Sequence, residues 1–443
     1  MDILFRIAKE IQKRWSKIPL HHVEIIRGGS WLILFIGVGK LAGLLKEIII
    51  AAELGVGPEM DVFLLAMTLS TMLVGPVAHT FINCLSTSYA EWGTHKLEKG
   101  FQEFQGTINI FVILCAGGLL VIQHISLPYL PNIFSIELPE NSLEKLVNYS
   151  RVLNTYIVLS LLLAMASTRL LMRKMQINTL LETLPALCTI TACLLWNQKV
   201  DGWTLITGFL VGHCLQLLIL NIILGDVKYI FCFHWKFTSE TKVFLQRFYW
   251  MLPAQVLTAS TVLVDQIMAS WQGNGSISTL GYATRILAIL LTLTQTVIGR
   301  ATLPVFGELR ERPDVLKKTV NQWVVISLVG GAVLSLIMGY YAENIITILF
   351  ERGEFSSEET NKVKNVLWAY LIQTPFYLGS TLLFIERVIN GQQRDLFFLS
   401  LLIFSSNIIL NYYLSSHISI VGIALSTSIC YFIQLIYLVA KRY

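Results

Sequence analysis

Twelve apolar runs, joined by short polar connections, decide most of what this chain can become. A helix crosses a bilayer with about 20 mostly apolar residues, and in lipid its backbone groups must be satisfied within the helix itself. The runs lie near 29–52, 60–85, 106–127, 146–172, 180–197, 203–224, 247–271, 279–303, 320–342, 363–388, 395–415 and 419–440. They predict an all-α polytopic membrane protein of about twelve spans. Only 14% of the 443 residues are charged, against about 25% in soluble domains. No connection is long enough for a soluble catalytic domain, so no enzyme is expected.

The connections test the count independently. With a cytoplasmic N-terminus, the inside segments hold Arg6, Lys9, Lys13, Arg14, Lys17, Arg27, Lys96, Lys99, Arg173 and Lys174. They continue with Lys228, Lys236, Lys242, Arg247, Arg310, Arg312, Lys317, Lys318, Arg394, Lys441 and Arg442. The outside segments hold only Lys145, Lys199, Arg352 and Lys362. The positive-inside rule then places both termini in the cytoplasm.

Residues 1–28 alternate apolar and basic positions at helical spacing, as expected of an amphipathic helix on the cytoplasmic surface. A polar segment at 226–246 divides the spans into an N-lobe (29–225) and a C-lobe (247–443). Short matches about 216–218 residues apart suggest that the lobes are parallel repeats: Leu54-Gly55-Val56-Gly57 with Gln272-Gly273-Asn274-Gly275, and Phe134 with Phe350. Asn141 and Glu144, like Ser356 and Glu359, have capping-box spacing before a helix. Transporter sites lie between such repeats. The seven scattered cysteines form no CxxC pair, so neither a metal site nor a cofactor is expected.

Charges inside apolar runs are the functional candidates, because each costs at least ~2.5–3.5 kcal/mol at bilayer depth. The first run contains Lys40, Lys46 and Glu47, with Asp61 opening the second. Lys40 and Glu47, seven apart, share a helix face. The seventh run contains Asp265 and the eighth Arg285. Lys46–Glu47 or Asp265–Arg285 could be structural ion pairs. Alternatively, the excess of cations lines a cavity for an anionic lipid headgroup. Asp265 with Asn407, Asn411 and Thr427 offers oxygen ligands for a monovalent cation, or simply interhelical hydrogen bonds. Arg151, Arg169 and Lys364 lie near span ends, and Glu386-Arg387 is expected to snorkel to the surface.

Four stretches carry a resemblance. Residues 39–66, GKLAGLLKEIIIAAELGVGPEMDVFLLA, resemble the first hairpin of the MurJ/MviN family of lipid II flippases. Residues 263–285, LVDQIMASWQGNGSISTLGYATR, resemble its seventh hairpin. Ala301-Thr302-Leu303-Pro304 resembles its eighth-span ending, and residues 349–360, LFERGEFSSEET, its outer loop. The similarity runs in order along the chain. It implies the two-lobed fold of the multidrug/oligosaccharidyl-lipid/polysaccharide exporter superfamily, with MATE/MurJ-like lobes of six helices that rock to alternate access.

By that resemblance, Lys40, Lys46 and Arg285 would bind a lipid-linked diphosphate, with Glu47, Asp61 and Asp265 as gating or polar partners. Lysine stands at 40 and 46 where the family usually has arginine, and Thr284 replaces an aspartate. The expected twelve spans are two fewer than in fourteen-span lipid II flippases. The expected cargo is therefore a polyprenyl-diphosphate-linked oligosaccharide, either lipid II-like or a polysaccharide repeat unit. It would cross a bacterial inner membrane through a monomer, with Na+, H+ or membrane potential as possible drive. Membrane lipids are expected partners and nucleic acid is not. The alternatives are a drug/cation antiporter of the same superfamily or, less favoured, a membrane-embedded polysaccharide polymerase or ligase.

Overall fold

The computed structural model describes residues 20–92, 98–173, 175, 177–196, 199–225, 233, 235–308, 312–390 and 392–442. The expected surface helix falls largely on residues 1–19, outside the described residues, as do 226–232 and 234 of the linker. All regular structure among the described residues is helical. In chain order it comprises α1 (Leu20–Leu54), α2 (Pro58–Trp92), α3 (Glu98–Ser126), α4 (Leu130–Ile133), α5 (Glu140–Leu153) and α6 (Thr155–Met172). There follow α7 (Ile177–Leu181), α8 (Leu184–Leu195), α9 (Gly202–Leu224), α10 (Ser239–Ser270) and α11 (Ser276–Glu308). The last five are α12 (Pro313–Tyr340), α13 (Ala342–Phe350), α14 (Ser357–Leu371), α15 (Gln373–Ile389) and α16 (Gln393–Ala440). Eight stretches among the described residues are long and apolar enough to cross a membrane.

Local chemistry sets the boundaries. Asp201 accepts from the Thr204 backbone N–H at 3.0 Å to start α9, whose orphan donors need such a cap. Gly225 ends α9 in the left-handed region at φ 65°. Ser356 and Glu359 form the expected reciprocal capping box of α14. The expected box at Asn141 does not form. Extended Pro139 starts α5 two residues earlier, and its carbonyl accepts from Ser142 and Leu143. Asn141 therefore lies inside the first turn, where its side chain cannot cap.

α16 is two helices. Ile418 and Ser419 leave helical geometry, and Cys430 Sγ lies 3.9 Å from the Ile403 carbonyl. A straight helix would separate those residues by ~40 Å, so the chain folds back. The two halves also break in matching places. Asn154 interrupts α5–α6 and Ile372 interrupts α14–α15, 218 residues apart, each after a short helix, α4 or α13.

Buried clusters join the halves along α2 and α10. Ile50, Met60 and Leu65 join Ile267, Tyr282, Phe350 and Phe355 in one buried cluster. Some 30 Å along α2, a second cluster takes in the start of α10. Phe81 and Phe104 enclose Phe244 and Phe248 from the start of α10, while Phe306, Val320 and Leu382 form another cluster in the second half. The linker residue Lys236 is tied to the first half through Thr107 and Glu103.

Candidate substrate cavity, latch and cation site

Three charged side chains meet between the halves. Glu47 on α1 pairs with Lys46 at 2.9 Å and with Arg285 on α11 at 2.8 Å. Arg285 also lies 5.1 Å from the Tyr282 ring centroid, a cation–π distance. One carboxylate thus faces two cations, and Arg285 Nη1 is buried without a hydrogen-bond partner. A buried unmet donor costs more than a typical hydrogen bond returns, which makes this nitrogen a ready donor to an added anion. The Asp265–Arg285 pairing does not occur, because Arg285 is held by Glu47. Nor does Lys40 join the triad. It is exposed on α1, about 9 Å along the helix from Lys46, and Glu47 pairs with its neighbour Lys46 instead.

Asp61 does a different job. Buried at the start of α2, it accepts from Gly275 N–H at 2.6 Å and Ser278 N–H at 2.7 Å. A carboxylate there meets both the orphan donors and the positive dipole end of α11. Around it a latch joins the halves. Tyr282 donates its hydroxyl to the Gly55 carbonyl at 3.0 Å, Glu354 N–H to the Ala52 carbonyl at 2.9 Å, and Val56 N–H to Glu359 at 3.2 Å. Gly353, at φ 60°, approaches so closely that a Cβ would lie 2.1 Å from the Ala52 carbonyl oxygen. Asp61, Gly55, Val56 and Glu359 stand out in the sequence for other reasons, and the pairings themselves escaped the sequence reading.

The four oxygen-bearing residues of the second half do converge. Asp265 on α10 accepts from Asn407 at 3.0 Å, Asn411 at 2.6 Å and Thr427 at 3.3 Å. The fold-back of α16 makes this possible by bringing its two arms to one carboxylate. Asn411 is fully buried and its Oδ1 has no partner. Glu386 and Arg387 do not snorkel. Both are buried, Glu386 against Arg442 at 2.6 Å and Arg387 against Asp395 at 3.1 Å.

An all-helical bundle with apolar helices long enough to cross a membrane and a charged triad between α1 and α11 has the form of a membrane transporter. A solved structure of the lipid II flippase MurJ in an inward closed conformation aligns with TM-score 0.80 and 20% identity, covering 93% of this chain and 87% of that one. An inward-facing MATE family multidrug resistance transporter of the MOP superfamily aligns with TM-score 0.77 and 13% identity, covering 91% and 94%. A probable lipid II flippase MurJ from Thermotoga maritima is 22% identical over 406 residues, 91% of this chain and 82% of its own length. The family model for the lipid II flippase MurJ matches residues 50–442. The chain belongs to the MurJ lipid II flippase family.

Proposed function

We propose that this protein flips a polyprenyl-diphosphate-linked oligosaccharide across the bacterial inner membrane by alternating access. The observation that carries the reading is the Lys46–Glu47–Arg285 triad, which leaves one cation in excess and one guanidinium nitrogen unmet. A diphosphate supplies the missing negative charge and several acceptors. Arg285 offers a planar fork to it, and Lys46 a point charge. Exposed Lys40 supplies a first attraction on the approach. A drug–cation antiporter would call for net negative charge at this place, so the triad disfavours it.

The proposed frame is twelve spans in two lobes, 29–225 and 247–443, with both termini cytoplasmic. The latched end then faces outward. The matching breaks at Asn154 and Ile372 support the repeat. Asp61 works as the gate's cap, holding the outer end shut until cargo is bound. Asp265, Asn407, Asn411 and Thr427 form a sodium site, supported by the unpartnered Asn411 Oδ1; turned to the carboxylate, the amide oxygens complete an oxygen shell. The protein acts as a monomer, without cofactor or catalytic step.

The test is export of the lipid-linked glycan by cells carrying Lys46→Ala or Arg285→Ala at normal protein levels. Both variants are expected to lose transport. Full export by either one overturns the cationic-cavity reading. Transport indifferent to sodium and to membrane potential removes the cation role from Asp265.

A further inference from the structure

A second group of polar side chains lies outside the triad, on the surface of the first half. A cavity of about 380 Å³ opens between the end of α3 and the break between α5 and α6. Its polar lining is His124, Arg151, Asn154 and Thr155, and Val121 and Ile125 stand among its apolar walls. Three observations set it apart from an ordinary surface dent. Arg151 lies within the apolar stretch Asn141–Leu170, is exposed, and makes no ion pair with any described residue. An exposed arginine near a span end without a counter-ion is free to take an anion. Asn154 is 4% exposed, and both polar atoms of its amide lack a hydrogen-bond partner. Thr155 has turned its hydroxyl to the Val152 carbonyl, so it does not satisfy that amide. Val121 and Ile125 are more than half exposed, forming a greasy wall beside Arg151.

Arginine with histidine and a free amide is a phosphate-binding set, and the adjoining apolar wall suits an acyl chain. We propose that this cavity binds an anionic phospholipid of the outer leaflet. Arg151 and His124 face its phosphate, the Asn154 amide donates to it, and the chains lie along Val121 and Ile125. The leaflet follows from the proposed topology, in which α3 ends on the outer side; the binding itself does not depend on the transport reading. An occupied site wedges the break at Asn154, so the lipid steadies the bend of the fourth span.

The experiment uses the purified full chain in nanodiscs of phosphatidylcholine with and without phosphatidylglycerol, read by thermal unfolding and by native mass spectrometry of retained lipid. Phosphatidylglycerol is expected to raise the unfolding temperature of the wild type and to be retained selectively. Arg151→Gln and Asn154→Leu should lose both effects, with retained phosphatidylglycerol falling several-fold, while Lys362→Gln, an equal charge change elsewhere, keeps them. Asn154→Leu removes an unmet buried amide, so it should unfold no earlier than wild type in phosphatidylcholine alone. Should it fail to fold, the exposed Arg151→Gln decides alone. Wild-type retention by Arg151→Gln, no preference over phosphatidylcholine, or equal stabilisation by inorganic phosphate without the lipid each overturns the proposal. Cargo export intact in Arg151→Gln alongside lost lipid retention separates this site from the triad.

Discussion

Removing the Asp61 carboxylate should open the latch. In Asp61→Ala, Gly275 and Ser278 lose acceptors at 2.6 and 2.7 Å. Hydrogen bonds to a charged group are worth about 1.5–3 kcal/mol each. Because one carboxylate serves both, its own desolvation, no longer suffered in the variant, offsets part of the loss. A net destabilisation of the closed end of about 2–4 kcal/mol follows, which corresponds to a roughly 30- to 1,000-fold shift toward the open state. Amide hydrogen exchange followed by mass spectrometry reads it directly. Gly275 and Ser278 would exchange faster merely because their acceptor is gone, so they do not decide the matter. The deciding amides are Val56 and Glu354, which donate to Glu359 and Ala52 and never touch Asp61. If the latch opens as a unit, they lose protection by the same factor, and Asp61→Asn falls between the variant and wild type. If they exchange at the wild-type rate while Gly275 and Ser278 speed up, Asp61 is only a helix cap and the gating argument is wrong. The cap of α9 at Asp201 serves as the internal control.

Further outcomes test other parts. Gly353→Ala must hold a left-handed φ and thrust a Cβ against the Ala52 carbonyl, whereas Gly225→Ala, also left-handed, meets open space. The second should cost about 1–2 kcal/mol and the first clearly more, as measured by thermal unfolding. Sodium should stabilise the wild type above equal potassium, and Asp265→Asn should abolish the difference; equal stabilisation by the two salts in wild type counts against the site. Lys46→Arg keeps the charge and adds a planar fork, so cargo KM should fall with kcat little changed; an unchanged KM removes Lys46 from headgroup contact. In the loop between α13 and α14, hydrogen bonds from Ser357, Thr360 and Thr347 hold the Glu351 carboxyl below its ordinary 4.5. A lowered pKa favours the folded loop above the unfolded value and loses that contribution as pH falls through the folded one. Exchange at Ser357–Thr360 should therefore be flat at neutral pH and, after correction for intrinsic rates, quicken only below about pH 4.5.

How much of this the sequence disclosed depends on how far apart the partners lie. The capping box at Ser356 and Glu359 is local, three residues of known geometry, and it forms as expected. That Glu359 also takes the Val56 N–H, 303 residues away, no local rule could supply. The grouping of Asp265, Asn407, Asn411 and Thr427 was legible for a different reason: polar groups in apolar runs must find one another, so their number limits the pairings. The same logic failed for Arg285, because two acids were available and only packing chose Glu47 over Asp265. Face arithmetic put Lys40 with Glu47, but a long flexible lysine reaches a sequence neighbour as readily. Pro139 displaced the expected cap at Asn141 because an extended proline carbonyl started the helix first.

The two buried carboxylates of the first hairpin are compensated in opposite ways, and the difference bears on mechanism. Asp61 is met by backbone donors at the end of a helix, groups fixed in α11 that cannot be exchanged and that reach the carboxylate only while α2 and α11 lie together. Glu47 is met by two side chains on different halves, and they outnumber it. A fixed strut would balance its charges, since a surplus buried cation weakens a bridge. An exchangeable site needs the surplus, because an incoming diphosphate must find charge that the resident carboxylate has not used. Lys46 reaches the triad from α1 and Arg285 from α11, so an anion shared between them draws those helices together about 12–14 Å from the latch. The same helices border the latch, α1 ending beside Gly55 and α11 starting at Ser276. Tyr282 touches both Arg285 and Gly55, so a change at the triad bears directly on the latch, and the cargo's charge supplies the differential affinity that such a shift requires.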